Sequence, residues 1–130
     1  MCEDKIMQKD NKVATRSITI IFTVSAVLFS SLVRAEGNAD KGKALYAQQC
    51  ASCHGTSGKG DGPAAGALNP KPTNFTDKAR MTGLKDQQLF DVIKKGGTGV
   101  GKSPIMPGFG AALKDGNIQD IVAFLRSLEK

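Results

Sequence analysis

Towards its end the chain repeats apolar residues at a helical interval. Ile118, Ile121, Val122, Leu125 and Leu128 stand at i, i+3, i+4, i+7 and i+10 and form one apolar stripe. The spacing predicts a C-terminal helix, with Asp115 or Asn117 available to cap its start. A second stripe of Leu89, Phe90 and Ile93 predicts a helix from about Asp86 to Lys95, ended by Gly96-Gly97. A further helix is read over Ala39 to Gln49, with Asn38 as its N-cap and Leu45 and Tyr46 as its apolar contacts. Gly42 lies inside it, and a glycine there is costly unless another element packs closely against it. Between Gly55 and Asp77 there is no periodicity. Four glycines (58, 60, 62 and 66) and three prolines (63, 70 and 72) predict an irregular loop.

The first 35 residues follow a different pattern. Residues 17–33 carry no charge, Lys5, Lys9, Lys12 and Arg16 precede them, and Val33-Arg34-Ala35 follows the apolar core. A basic start, an apolar middle and a small residue at the end describe a secretory signal peptide, cleaved after Ala35. The competing reading is a retained membrane anchor. Seventeen helical residues reach only about 25 Å, less than the roughly 30 Å of a bilayer core. The expected organisation is a leader over 1–35 and one domain over 36–130, exported to the periplasm or beyond. With the leader removed, no stable membrane insertion is expected.

That division changes the charge. The whole chain of 130 residues holds 18 Lys+Arg and 12 Asp+Glu, net +6. The leader takes five basic and three acidic residues, so 13 and 9 remain, net +4. A nucleic-acid partner loses its main support. All fifteen glycines and all five prolines fall in residues 36–130. A loop-rich domain of this size is marginal on apolar burial alone and commonly needs a staple or cofactor.

Residues 50–54, Cys-Ala-Ser-Cys-His, supply a candidate. C-x-x-C-H is the attachment sequence of c-type haem. Two thiols three positions apart on a helical turn can each add across a porphyrin vinyl group. The next residue can then offer an imidazole nitrogen to the iron. A thioredoxin-like dithiol would need a strand before the motif, and none is read there. A zinc site needs four ligands. Cys2 leaves with the leader, so residues 36–130 offer only Cys50, Cys53 and His54, the single histidine of the chain. For a sixth iron ligand the domain has Met81 and Met106. Met106 lies in Ser103-Pro104-Ile105-Met106-Pro107-Gly108, where proline and glycine prevent helix and favour an extended loop. Met106 is the preferred ligand, and Met81 reads as a core filler.

With these parts in order, residues 36–130 resemble a class I c-type cytochrome of the bacterial monohaem kind. The resemblance rests on Gly42 to Tyr46, Cys50 to Gly55, the Met106-Pro107 loop, and Ile121 to Leu125. It implies an all-α fold, three to five helices wrapped around one covalently bound haem c. It also implies that the C-terminal helix crosses at Gly42, with Ile121 and Phe124 in contact. A proline carbonyl from the 55–77 loop would hold the other nitrogen of the ligating imidazole, with Pro70 the first candidate and Pro72 the second.

The implied role is an electron carrier and not an enzyme: a monomer moving single electrons between redox proteins outside the cytoplasm. Cys50 and Cys53 would hold the haem, and His54 and Met106 the iron. The alternatives are a haem subunit of a larger dehydrogenase or oxidase complex, and a gas-binding haem protein with Met106 off the iron. No catalytic constellation competes. Gly96 to Lys102 lacks the spacing of a phosphate loop and reads as a flexible approach to the methionine loop. Lys94, Lys95, Lys102 and Lys59 could form a weak basic ring that steers an acidic partner, or simply a solvated surface.

Overall fold

A computed structural model describes residues 37–129. The leader reading for residues 1–35 lies outside them. Asn38 opens helix α1 (Ala39–Gln49), and its side-chain oxygen accepts the Lys41 N–H at 3.0 Å. This is the expected N-cap, satisfying one of the amides that a helix start leaves free. After Cys50 the chain makes one more helical turn, α2 (Ala51–His54), which Gly55 ends at φ 78°. The short α3 (Lys78–Thr82) is followed by α4 (Asp86–Lys95) and α5 (Asp115–Ser127). Two single 3-10 turns lie at Ala65–Ala67 and Thr98–Val100. No strand occurs among the described residues, and the fold is the expected all-α one.

The frame is the crossing of α1 over α5. A side chain at Gly42 would run into the Asp120 carbonyl and the Ile121 amide, so only glycine lets the two backbones approach this closely. Beside the crossing, Tyr46 packs on Phe124 with ring centroids 5.1 Å apart. The α5 stripe is buried at Ile118, Ile121, Val122 and Leu125, joined by Phe124, while Leu128, the last residue of the predicted stripe, lies just past the helix and is half-buried. From α4 come Leu89 and Ile93, with Phe90 half-buried at the margin. No charged or polar residue is buried among those described.

Two local readings need correction. Neither Asp115 nor Asn117 caps α5: Lys114 holds the N-cap position without a side-chain bond. Asp115 stands in the first turn, where its charge suits the positive end of the helix, and it pairs with Lys94 at 2.8 Å. The residues before α4 also contain α3, which the sequence reading left out. Asp77 caps it by accepting the Arg80 N–H at 3.1 Å, and Met81 on it is wholly buried. Arg126 of α5 ties this segment down. Its Nε donates to Asp86 at 2.7 Å, Nη1 to the Met81 carbonyl at 2.8 Å and to Glu129 at 2.7 Å, and Nη2 to the Leu84 carbonyl.

Candidate functional site

The cysteines share one helical turn. The His54 N–H donates to the Cys50 carbonyl at 2.9 Å and the Cys53 N–H to the same oxygen at 3.2 Å. At i and i+3 the two side chains lie on neighbouring positions of one face. Both are unpaired thiols, each half-buried. Burial, and secondarily the nearby Cys53, pushes the Cys50 thiol up to about 11, so it is neutral at physiological pH. A neutral sulfur in an apolar wall suits contact with a large apolar ring.

The turn is held from outside by the loop that follows it. The amides of Gly60, Gly62 and Ala64 donate to the carbonyls of His54, Cys53 and Ser52 at 2.8, 3.2 and 3.0 Å. These are the carbonyls that the end of a helical turn leaves without partners. Gly55, Gly58 and Gly60 all take positive φ, a conformation that residues with side chains rarely adopt, and this folds the loop back on the turn.

At the imidazole the loop supplies a different carbonyl from the one expected. Nδ1 of His54 lies 3.3 Å from the Thr73 oxygen. Neither Pro70 nor Pro72 makes this contact. The Pro72 carbonyl is turned towards Gly60, where any side chain would collide with it, and the next carbonyl along faces the ring. A carbonyl only accepts, so Nδ1 carries the proton and Nε2 keeps a free lone pair, the state a metal ligand requires. Burial lowers the His54 pKa below its ordinary value, against the opposing pull of the Thr73 bond. The Phe75 ring stacks on the imidazole, with centroids 4.8 Å apart and planes 25° from parallel.

The two methionines have different environments. Met81 is in the core, fully shielded. Met106 is half-buried at the edge of the same core, in a loop fastened to the end of α4. The Gly97 N–H donates to the Met106 carbonyl at 3.0 Å, and the amides of Phe109 and Gly110 donate to the Ile93 and Lys94 carbonyls at 2.8 and 3.0 Å. The stretch leading to it is a closed turn, because the Gly97 carbonyl accepts from Val100 at 3.2 Å and from Lys102 at 2.7 Å. Two of the four lysines considered for a basic ring are internally paired. Lys94 pairs with Asp115, and Lys95 pairs with Asp91 at 3.1 Å.

Sequence reasoning missed Thr73 and Phe75. Neither belongs to a periodic run, and only the adjoining prolines hinted that a carbonyl would be presented nearby. The donor set fits the expected group: two unoxidised thiols on one face, and an imidazole with its outer nitrogen free and its inner one fixed.

Comparison with known proteins agrees with this chemistry. Residues 39–129 match the family model described as Cytochrome c. Over 95 residues the chain is 33% identical to cytochrome c-554(547) of Halothiobacillus neapolitanus, covering 72% of this chain and 99% of that protein. Over 91 residues it is 31% identical to the Cbb3-type cytochrome c oxidase subunit FixP of Bradyrhizobium diazoefficiens, covering 70% of this chain but 28% of that subunit. The solved KustC0563 c-type cytochrome is similar in fold, with a TM-score of 0.57, 24% identity, and coverage of 68% of this chain and 98% of that one. The family attaches haem c covalently through a cysteine pair, which this chain has as Cys50 and Cys53. The chain therefore belongs to the cytochrome c family, as a single-haem c-type domain that carries electrons.

Proposed function

We propose that this protein is an exported, free-standing electron shuttle, with thioether bonds at Cys50 and Cys53 and iron ligands at His54 Nε2 and Met106 Sδ. The observation that carries the reading is the Thr73 carbonyl on Nδ1 of His54. It fixes the tautomer that leaves Nε2 available, and it raises the basicity of that nitrogen. Met106 is preferred to Met81 because its loop lies at the core margin, whereas Met81 is sealed inside it.

When bound, the haem supplies an iron that changes charge by one. The chain's own groups decide how that change is used. With haem bound, the His54 imidazole and the Met106 thioether would both hold the iron, which would favour electron transfer over gas binding. The thioether and the apolar surroundings both favour the reduced state, so a positive midpoint potential is expected. Residues 1–35 act as the leader, removed after Ala35. In support, the domain left by cleavage has 95 residues, the length over which the Halothiobacillus relative aligns. Donor and acceptor are redox proteins. Among the unpaired lysines, exposed Lys59 and Lys102 remain to steer them weakly.

Absorption spectra of the purified oxidised and reduced protein test the ligation. A low-spin c-type spectrum with a weak far-red sulfur–iron band is expected. Met106→Leu abolishes that band and Met81→Leu keeps it; the reverse result rejects Met106. The second reading is a haem subunit of an oxidase, favoured by the likeness to FixP. Sedimentation of the native protein separates the two: a monomer of one domain supports the shuttle, and a stable larger assembly supports the subunit.

A further inference from the structure

A hydrogen bond from Nδ1 fixes one atom of an imidazole but leaves the ring free to turn about that contact. The Phe75 stack supplies the missing constraint. Phe75 is itself locked. Its N–H donates to the Gly58 carbonyl at 2.7 Å, and its ring meets Tyr46 edge-on, with centroids 6.5 Å apart and planes at 76°. Tyr46 is buried, rests on Phe124 of α5, and bonds through its hydroxyl to the Gly55 carbonyl at 2.8 Å, one residue beyond His54. A continuous column of rings thus runs from α5 through α1 to the imidazole face. An edge-on contact followed by an offset stack is a favoured arrangement for aromatic rings.

We propose that Phe75 is a positioning residue for the iron-ligating imidazole: its ring, held by Tyr46 and the Gly58 turn, sets the plane in which His54 presents Nε2. This rests on the reading of His54 as the iron ligand. The plane of an axial imidazole decides how the unpaired electron of low-spin ferric iron is shared among the four pyrrole directions. The haem methyl proton shifts and the principal g values therefore report it directly. A residue that only adds stability leaves both unchanged.

The test uses the haem-loaded protein. In the reduced, diamagnetic parent, nuclear Overhauser contacts are expected between the ring protons of Phe75 and His54, and their absence overturns the proposal without any variant. In the ferric state, Phe75→Leu is expected to shift or reorder the haem methyl resonances by more than their linewidth while the far-red band remains. Phe75→Tyr is expected to restore the parent pattern. Val122→Ala serves as a core control, since Val122 is buried on α5 and absent from the ring column. A parent-like pattern in Phe75→Leu, or an equal change in the control, overturns the proposal. Failure of the ligand assignment is separately visible, because His54 ring protons not bound to iron would lack the large paramagnetic shift in the parent itself.

Discussion

The α1–α5 frame and the two glycine-rich loops are built on opposite principles. In the frame, side chains carry the load: Tyr46, Ile118, Ile121, Val122, Phe124 and Leu125 are all buried, and the helices make their own backbone bonds. In the loops, backbone amides carry it. Gly60, Gly62 and Ala64 bond to the carbonyls of the cysteine turn, while Phe109 and Gly110 bond to those of α4. One region stores stability and the other stores geometry. Damage to the frame should appear in denaturation and damage to the loops in spectra.

The largest effect should come from the frame. Ile121→Ala removes a side chain that is 1% exposed, and a loss of about 2–5 kcal/mol is expected in denaturant titration. The folded fraction should keep a parent-like low-spin spectrum. Gly42→Ala drives a methyl group into the Asp120 carbonyl and should cost about 1–3 kcal/mol, again without a spectral change. In the loop, Gly108→Ala would bring a methyl carbon within 2.8 Å of the Lys95 carbonyl carbon. A stability loss of about 1 kcal/mol is expected, but with clear weakening of the far-red sulfur–iron band. A Gly108 variant that loses stability and keeps the band would undo the contrast between the regions.

The smallest effect concerns pH and sharpens the frame side. Burial is the main cause that raises the Tyr46 phenol well above its ordinary value, with Cys50 and Asp61 adding to it. A phenol raised in the folded state gives its stability fully below its unfolded value of about 10, and that stability is lost as pH rises beyond it. At about pH 10 the loss is roughly 0.4 kcal/mol. The chain has a single tyrosine, so an ultraviolet titration reads this residue alone. Phenolate absorbance should stay absent at about pH 10 and appear with unfolding; a free titration near that value would place the ring in water.

What could be read from the sequence divides along the same line. The bounds of α1 and α4 follow from Asn38, from the Leu89 and Ile93 stripe, and from Gly96, all local signals. The need for a close approach at Gly42 was also legible, since a mid-helix glycine asks for a neighbour. The cysteine motif was legible because its chemistry lies within five residues. Thr73 was not. Which carbonyl among Pro70, Pro72 and Thr73 faces the imidazole depends on how the loop turns around Gly58 and Gly60, and prolines mark only its vicinity. Phe75 escaped because its meaning is a contact with a ring 21 positions away, and α3 because five residues with one large apolar side chain, Met81, make no stripe.

The fastening of the methionine loop has a consequence for how the molecule opens. The last carbonyls of α4 and the backbone around Met106 satisfy one another. Withdrawing the thioether by moving that backbone therefore frays the helix end, and fraying the helix end loosens the thioether. The two form one cooperative opening unit, so the amides of Gly97, Phe109 and Gly110 should exchange with solvent deuterium at one common free energy, below that of the α1–α5 crossing.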